Sequence, residues 1–357
     1  MKNYLSLEPE AFGIDFSDLN MRVAKLKKKG KFFDLTSWGE VKVPLGIIKD
    51  GEIQDEEKLT ALIKKAIKEV RGEKIKTKYV VASLPETKAF LQVIKVPKMN
   101  EEELKTAIPF EVENYIPLLS DQTYLDYEVI YSTSQEGDIL DVLIGAMPKK
   151  IVDPYLSCLR GAGLIPKALE VESQSIARAL IKNGLSPFPY LIIDFGRTTT
   201  SFIVFSGYSL RFTSSISVSS EDLTQKIAKD FKIDYKEAEE MKIKYEKNIT
   251  KSINPLILEL IKQTKKYINF YHTHSNNISN DIGGGEIKKI LLCGGGSNLK
   301  GLPEKIFSEL KIPTELANPW INILPKDIKN PPAISFKDSL GYVTTLGLAL
   351  RGMQEEL

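Results

Sequence analysis

Two short stretches decide the fold of this chain, GIDFSDLNMRVAKL at residues 13–26 and IIDFGRTTTSFIVF at residues 192–205. Superposing their aspartates pairs Asp15 with Asp194, 179 positions apart (194 − 15) in a chain of 357 residues. Each stretch consists of an apolar strand, an aspartate, a short polar turn and a second strand with alternating apolar residues. Two copies half a chain apart predict a duplicated α/β fold, in which two lobes bring the Asp-bearing turns together across a cleft.

The paired aspartates suggest a site for a nucleotide and a metal ion. A carboxylate at the end of each of two facing strands could hold a hydrated magnesium ion, while turn amides bind phosphate oxygens. A single aspartate at the end of a strand usually only forms a turn, but the duplication favours a functional role. In the second turn Gly196 lets the backbone approach a phosphate, and Thr198, Thr199 and Thr200 supply hydroxyl groups.

A third stretch, ILLCGGGSNLKGL at residues 290–302, places three glycines between a predicted buried strand and a predicted helix. Glycines let the main chain pass close to a ligand, and a tight strand-to-helix turn without a ligand is the alternative. Leu299 stands where a G-x-G-x-x-G motif has its third glycine, so a dinucleotide-binding fingerprint is excluded.

Composition argues against several other functions. The 49 Lys and Arg residues balance 47 Asp and Glu residues, so a nucleic-acid binder is not supported. The basic run at residues 25–31 is interpreted as the exposed tip of a hairpin rather than as a phosphate or lipid site. The sequence has neither an apolar stretch near the ~20 residues that cross a bilayer nor a signal peptide, so we expect a cytoplasmic protein for which any membrane role must come through a partner.

The few cysteines and histidines support neither a disulfide framework nor a catalytic metal. Cys158 and Cys293 lie in apolar segments and are expected to be buried thiols. His272 and His274 have no cysteine or carboxylate at ligand spacing, so no zinc site is expected. A Ser-His-Asp triad is not supported either, because the chain has no G-x-S-x-G turn.

An insert of about sixty residues interrupts the first half of the chain, from residue 85 to residue 147. It is predicted to contain a strand, a helix capped by Asn100, and two further strands. Pro109 predicts a break or kink in that helix. In the second half, Ser220 is predicted to cap one helix, and Asn254 is predicted to begin a long one that reaches Tyr271.

In their order along the chain, these motifs resemble the actin-like ATPase superfamily, the ribonuclease H-like fold shared by actin, Hsp70, MreB and FtsA. The matching motifs are the turns at Asp15 and Asp194, a helix at residues 172–180, the glycines at 294–296 and a final helix at residues 340–351. Within this superfamily, three segments resemble the PilM family of type IV pilus assembly proteins. They are PLGIIKDGEIQDEEKL at residues 44–59, EVENYIPLLSDQTYLDYEVI at residues 111–130, and residues 192–205.

The resemblance implies two lobes around a nucleotide cleft, with an inserted subdomain of the FtsA and PilM type. The implied divisions are a first lobe (1–84 and 148–188), the insert (85–147), a second-lobe core (189–219 and 287–357) and a helical subdomain (220–286).

The resemblance also implies ATP or ADP with Mg²⁺ in the cleft, with Asp15 and Asp194 on the metal side and Asp194 and Glu172 as catalytic candidates. The other implied nucleotide contacts are Ser17, Gly196, Arg197, Thr198, Glu239, Lys242, Gly294, Gly295, Gly296 and Ser297. The first turn departs from the superfamily pattern, because Ser17 replaces a glycine and Asp18 replaces a hydroxyl residue. A carboxylate 4 Å from a phosphate charge would repel it by about 4 kcal/mol at an effective dielectric constant near 20, so ATP affinity should suffer unless magnesium offsets the repulsion or Asp18 turns outward. At most slow ATPase activity is expected.

Proteins of the PilM family bind the short cytoplasmic N-terminal segment of a single-span inner-membrane protein, PilN. The resemblance therefore implies a scaffold at the inner face of the inner membrane, within the pilus assembly complex, with room for further pilus components or self-association. Candidate groove residues are Tyr115, Ile116, Pro117 and Leu118, and packing of the insert on its lobe is the alternative for them.

Three alternatives remain open from the sequence. The first is an ATP-hydrolysing filament or cell-division protein of the FtsA or MreB type, and the second is a small-molecule kinase, for which no sugar-binding acid or base is identifiable. The third concerns residues 321–325, INILP, which resemble a motif of PilN itself. We interpret them as a connecting loop, and occupation of a neighbouring molecule's groove is the alternative.

Overall fold

The computed structural model describes residues 10–113, 120–130, 138–244, 247–275, 285–325 and 332–353. These residues form sixteen strands: β1 (Phe12–Phe16), β2 (Asn20–Lys29), β3 (Phe32–Lys42), β4 (Ile48–Lys49), β5 (Glu52–Ile53), β6 (Arg71–Gly72), β7 (Tyr79–Leu84), β8 (Phe90–Pro97), β9 (Thr123–Ile130), β10 (Ile139–Pro148), β11 (Ile165–Val171), β12 (Ser186–Phe195), β13 (Thr200–Gly207), β14 (Ser209–Ile216), β15 (Lys289–Cys293) and β16 (Thr314–Leu316).

Ten α-helices form in the same described ranges. They are α1 (Glu56–Lys68), α2 (Glu101–Glu113), α3 (Lys149–Gly161), α4 (Glu172–Leu180), α5 (Ser220–Phe231), α6 (Tyr235–Lys244), α7 (Thr250–Ser275), α8 (Leu302–Leu310), α9 (Phe336–Ser339) and α10 (Val343–Arg351). None of the helices that the structure describes is both long enough and apolar enough to cross a membrane.

The two main sheets repeat one strand order, which confirms the duplication predicted from the sequence. The first sheet runs β11-β7-β1-β2-β3-β6 and the second runs β16-β15-β12-β13-β14. The Asp-bearing strand β1 pairs antiparallel with β2 on one side and parallel with β7 on the other. The Asp-bearing strand β12 likewise pairs antiparallel with β13 and parallel with β15. The carboxyl ends of these parallel strands lie at one sheet edge, which is where ligands bind in α/β folds.

The insert contains the predicted strand, helix and two further strands, and its three strands form a sheet of their own in the order β8-β10-β9, with α2 packed on one face. Its core consists of Ile94, Val96, Leu104, Ile108, Val112, Val142, Ile144 and Ala146. Pro109 predicts a break or kink in this helix, and the helix is not broken there, since α2 continues to Glu113. Because proline has no N–H, the carbonyl of Lys105 has no hydrogen-bond donor within the helix. Lys105 is exposed, so water can bond to that carbonyl instead.

Two helix starts differ from the sequence prediction. The cap of α5 is Ser219 rather than Ser220: the Ser219 hydroxyl accepts from the backbone N–H of Asp222, and the Asp222 carboxylate accepts from that of Ser219. Helix α7 begins at Thr250, four residues before Asn254. The long helix thus contains Pro255. Because proline has no N–H, the carbonyl of Lys251 has no helical donor, and Lys251 is exposed to water.

The helices α4 and α10 cross between the two sheets. Residues Ile176, Ala177, Ala179 and Leu180 of α4 pack with Ile192, Ile203 and Phe205 of the second sheet. Residues Leu346, Leu348, Ala349 and Leu350 of α10 pack on the first sheet, around Ala24, Leu26 and Val81. The sequence division placed residues 287–357 in the second-lobe core, whereas Leu346 and residues 348–350 pack on the first sheet. Val343, at the start of α10, packs with the second sheet.

The crossing of α4 and α10 requires a glycine. A Cβ atom on Gly347 would lie 1.9 Å from the carbonyl oxygen of Ser175, and only a glycine allows this approach. The crossing is also tied by Arg178, which donates to both oxygens of the buried Glu170 carboxylate and to the Gly347 carbonyl.

Residues 321–325 pack within their own chain. The side-chain amide of Asn322 donates to the carbonyl oxygens of Arg178 (2.9 Å) and Ile181 (2.8 Å), and its Oδ1 accepts from the N–H of Asn183 at 3.0 Å. Ile323 is fully buried. The segment therefore satisfies the last carbonyls of α4, which agrees with the connecting-loop interpretation.

Candidate functional site

A cleft of about 1080 Å³ lies between the two lobes, and both Asp-bearing turns reach it. This volume is that of a typical cofactor site. Of the residues predicted from the sequence, the cleft is lined by Asp15, Ser17, Glu172, Asp194, Gly196, Arg197, Thr198, Glu239, Lys242, Gly294, Gly295 and Gly296. Ser297 is not among the lining residues, because its buried hydroxyl donates to the carbonyl oxygen of Cys293.

The two aspartates have equivalent neighbours on the adjacent parallel strands. Cys293 of β15 pairs with Asp194, and its thiol donates to Asp194 Oδ1 at 3.8 Å. Ser83 takes the same place beside Asp15 and bonds to its carboxylate, while the Ser83 hydroxyl accepts from the N–H of Phe16 at 2.9 Å. Both cysteines of the chain, Cys158 and Cys293, are free and buried, as the sequence predicted.

Four carboxyl groups share the base of the cleft and oppose each other's ionisation. Burial raises the pKa of Asp15 to about 6, and burial together with the charge of Asp15 raises the pKa of Asp194 to about 6. Burial, with the charges of Asp15, Glu86 and Asp194, raises the pKa of Glu172 well above its usual value. Burial also raises the pKa of Glu86. Such a cluster favours a bound cation, because a cation stabilises the charged form of each acid.

Arg22 is a site residue that the sequence analysis missed. It lies on β2 directly opposite Asp15, and its charge lowers the pKa of both Asp15 and Asp194 against the effect of burial. Its Nε donates to Glu40 at 3.1 Å, and its guanidinium lies 5.5 Å above the ring of Tyr342. The hairpin pairing of residue 15 with residue 22 is the signal that would have identified it.

The glycines after β15 have different tasks. Gly294 has a φ of +81°, and a Cβ there would lie 2.4 Å from Asp194 Oδ1. A Cβ on Gly296 would lie 2.8 Å from the ring of Phe195. These two glycines therefore let the chain pack against the second Asp-bearing turn. Gly295 has open space where its Cβ would be, so it is the glycine that leaves room for a ligand.

Asp18, which the sequence suggested would repel a phosphate, is held by the turn between β4 and β5. Its two carboxylate oxygens accept from the backbone N–H groups of Asp50 (2.7 Å) and Gly51 (3.0 Å). These two donors partly neutralise the carboxylate and direct it towards the turn. The expected repulsion is therefore weaker than the sequence implied.

The helical side of the cleft carries two polar networks. Lys242 lies 2.8 Å from Glu239, and its ammonium also donates to the Ser220 carbonyl (3.0 Å) and the Thr224 hydroxyl (2.6 Å). Burial lowers the pKa of Lys242, and Glu239 opposes that shift.

The second network lies at the mouth of the cleft. Arg197 Nε donates to the Glu221 carboxylate at 3.3 Å, and the Tyr235 hydroxyl donates to the same oxygen at 2.6 Å. The second turn is thereby tied to α5 and α6.

No group of three or more His, Cys, Asp or Glu side chains among the described residues is arranged to hold a metal ion by itself. Mg²⁺ is usually bound through one or two carboxylates, several waters and substrate phosphates. Asp15 and Asp194 can supply those carboxylates. His272 packs locally, since its Nε2 accepts from the N–H of Ile287 at 3.1 Å.

The four predicted partner-binding residues, Tyr115, Ile116, Pro117 and Leu118, lie outside the described residues. Their role stays a prediction.

The whole chain resembles one family of known proteins. Residues 13–353 match the family described as type IV pilus assembly protein PilM. A solved structure described as the PilM-PilN type IV pilus biogenesis complex contains a chain 27% identical to this one, with a TM-score of 0.81, over 97% of this chain and 99% of that one.

More distant relatives agree on the fold. EutJ, an ethanolamine utilization protein from Carboxydothermus hydrogenoformans, has a TM-score of 0.57 and 15% identity over 97% of this chain and 90% of its own. MreB 5 of Spiroplasma citri bound to AMPPNP has a TM-score of 0.53 and 14% identity over 97% of this chain and 96% of its own. These neighbours confirm the actin-like ATPase fold that the sequence predicted.

The curated relative FtsA, a cell division protein of Enterococcus hirae, is 29% identical over 98 residues. That match covers 28% of this chain and 22% of FtsA, so the chain spans about a fifth of the length of this relative.

Proposed function

The chain belongs to the type IV pilus assembly protein PilM family, and from this premise we propose that it is an ATP-binding scaffold of the pilus assembly complex. As such it binds the cytoplasmic N-terminal segment of a PilN-like membrane protein and lies, through that partner, at the inner face of the inner membrane. The observation that carries the nucleotide role is the meeting of Asp15 and Asp194 at one cleft between the lobes. The partner role is supported by the likeness to the PilM-PilN complex over 97% of the chain.

In this proposal ATP or ADP binds with Mg²⁺ on the Asp15 and Asp194 side of the cleft. Bound Mg²⁺ supplies positive charge that offsets the repulsion between phosphate oxygens and the buried acids. Arg22, Arg197 and the Thr198 hydroxyl donate to phosphate oxygens from the two lobes. The adenosine lies along Gly295, with Glu239 and Lys242 on its helical side.

We propose at most slow turnover, because the first turn offers a phosphate few donors. The backbone N–H of Ser17 donates to the carbonyl oxygen of Asn20 at 2.9 Å, so the first turn has one donor fewer for phosphate. Glu172 lies where it could orient a water molecule, and burial raises its pKa in the ligand-free cleft.

The nucleotide role is tested by isothermal titration calorimetry of the full chain with Mg·ATP and Mg·ADP, and by mass spectrometry of any ligand that purified protein releases. We expect binding in the wild type and at least about a tenfold loss in Asp194→Ala, since one lost charged contact is worth about 1.4 kcal/mol or more. The control is Asp34→Ala, which removes an exposed acid remote from the cleft. Absence of both released nucleotide and a binding signal in the wild type would contradict the role.

The partner role is tested separately by fluorescence anisotropy with a labelled peptide that corresponds to the cytoplasmic N-terminus of a PilN-type protein. We expect saturable binding that Tyr115→Ala weakens, with the exposed Phe307→Ala as the control. Binding of a scrambled peptide with equal affinity would count against a specific groove.

A further inference from the structure

Glu86 belongs to the segment that carries the chain from the first lobe into the insert. This segment, residues 85–89, connects β7 to β8 and contains a 3₁₀ turn at Glu86–Lys88. Four of its five residues, Pro85 to Lys88, line the cleft. The entry into the insert is therefore part of the cleft wall.

Glu86 is joined to α4 by a reciprocal pair of hydrogen bonds. Its buried carboxylate, 6% exposed, accepts from the backbone N–H of Ser173 at 3.1 Å, in the first turn of α4. The carboxylate of Glu172 in turn accepts from the backbone N–H of Glu86. The Glu86 carboxylate also bonds to the hydroxyl of Thr213 on β14, in the second lobe. One side chain thus contacts the insert's connector, the helix between the lobes and the second sheet.

The connector is held to the first lobe on its other side. Lys88 forms an ion pair with Glu52 of β5 at 2.7 Å. Pro85 packs against Gly51, where a Cβ would lie 2.6 Å from the proline ring.

The insert itself is held to the second lobe. Arg211 of β14 forms an ion pair with Asp141 of β10 at 3.2 Å, and the Arg211 side chain is 5% exposed. Leu91, Val93, Ile130 and Leu143 of the insert share a hydrophobic cluster with Phe205 and Leu210 of the second sheet. The insert meets the first lobe at this connector and at the junction of β10 with α3, where the Tyr124 hydroxyl donates to Asp153 at 3.0 Å. Movement of one lobe relative to the other therefore acts on both junctions, and the connector is the one that lines the cleft.

We propose that Glu86 is a positioning residue of the nucleotide site, one that orients Glu172 and transmits the occupancy of the cleft to the insert. The proposal rests on the proposed nucleotide-binding function and extends it to the regulation of the same site. Mg²⁺ and phosphate beside Asp15 and Asp194 change the charge that faces Glu172 and Glu86. Any shift of the first turn of α4 is passed through the Ser173 and Glu86 bonds into β8, and so to the insert.

Hydrogen–deuterium exchange of the full chain with and without Mg·ATP tests this, read at peptides from β8 and β10. In the wild type we expect Mg·ATP to slow exchange there by about fivefold or more, the lower range of allosteric coupling. In Glu86→Ala we expect Mg·ATP still to bind saturably in calorimetry, with an affinity changed by the loss of this cleft acid, but no change of exchange in the insert.

Two further variants separate the hydrogen bond from general damage to the fold. Glu86→Gln keeps an oxygen that accepts from Ser173 and is expected to restore the response. Thr213→Val removes the bond to the second lobe with little change of volume, and it is expected to reduce the response even where Glu86→Ala is too unstable to measure. Glu102→Ala, on an exposed acid of α2, is the matched control and should respond as wild type does.

The outcomes distinguish this proposal from the function on which it rests. Two outcomes overturn the role of Glu86 and leave the nucleotide-binding function standing. In one, Mg·ATP binds to the wild type without changing exchange in the insert. In the other, the Glu86→Ala variant responds as the wild type does. Failure of the wild type to bind Mg·ATP in calorimetry overturns the nucleotide-binding function, and the role of Glu86 with it.

Discussion

At the scale of single residues, the ionisation of Asp194 is opposed by its surroundings. Burial and the charges of Asp15 and Glu86 raise its pKa to about 6, and Arg22 offsets only part of this effect. An acid whose charge destabilises the folded protein, yet which reaches a cleft, is typical of a binding site that gains its missing cation from a ligand.

Asp194→Asn should therefore stabilise the ligand-free protein at neutral pH. The pKa of Asp194 is about 6 when folded and 3.8 as the ordinary value. Between about pH 4 and pH 6 the folded state binds more protons than the unfolded state does. The free energy of unfolding therefore falls as the pH rises through this range. The variant should gain up to about 3 kcal/mol at pH 8 and almost nothing at pH 4. Urea unfolding with EDTA at both pH values measures this, and an equal change at both would contradict it.

Asp18 gives a second prediction at this scale. Asp18→Ala removes the acceptor of two backbone N–H groups in the turn at Asp50 and Gly51. We expect a loss of about 1–3 kcal/mol in the free energy of unfolding, because those donors lose their partners. Asp18→Asn, which keeps one acceptor, should lose less. Urea unfolding beside the Asp34→Ala control decides the matter, and an unchanged midpoint in Asp18→Ala would show that water replaces the carboxylate fully.

At the scale of elements, close approaches of backbone to backbone fix the geometry of the cleft. The second Asp-bearing turn needs Gly294 and Gly296, and the crossing of α4 and α10 needs Gly347. Gly295 is different, because space is open around it. Glycines that look alike in the sequence therefore separate into those required for packing and one that leaves room for a ligand.

Gly347→Ala and Gly295→Ala form a matched pair that tests this separation. The first places a Cβ 1.9 Å from a backbone oxygen and should cost about 3 kcal/mol of stability through overpacking. The second should leave the melting temperature unchanged and weaken Mg·ATP binding, because the methyl group occupies the space that we assign to adenosine. Differential scanning fluorimetry and calorimetry measure the two effects. Equal destabilisation by both would contradict the separation.

At the scale of the whole molecule, the insert joins the two lobes through the ion pair of Asp141 and Arg211. Asp141→Ala leaves the nearly buried Arg211 charge without its carboxylate, and we expect a loss of about 3 kcal/mol in unfolding free energy. The double variant Asp141→Ala, Arg211→Met should recover part of it, since no uncompensated charge remains. Chemical denaturation of the three proteins measures the coupling. Additive effects would show that the pair does not join the insert to the second lobe.

Much of this architecture follows from local sequence patterns, and the rest depends on long-range packing. The duplicated strand, turn and strand pattern predicts both sheets and the facing aspartates, because alternation and turn residues are local signals. The packing of α10 on the first sheet was not predictable, since the sequence of an apolar helix does not indicate which sheet it packs on. Glu86 was missed for a similar reason: an acid after a strand becomes a site residue only through Ser173 and Thr213, which lie far along the chain.

The exchange of α4 and α10 between the lobes has a consequence for cutting the chain. A fragment that ends at residue 188 would contain α4 but not the second sheet, on which α4 packs. A fragment that starts at residue 189 would contain α10 but not the first sheet, on which α10 packs. Each fragment therefore contains the helix that packs on the other fragment's sheet. Produced together as two polypeptides, they should associate and rebuild the cleft, because each buries an apolar helix of the other.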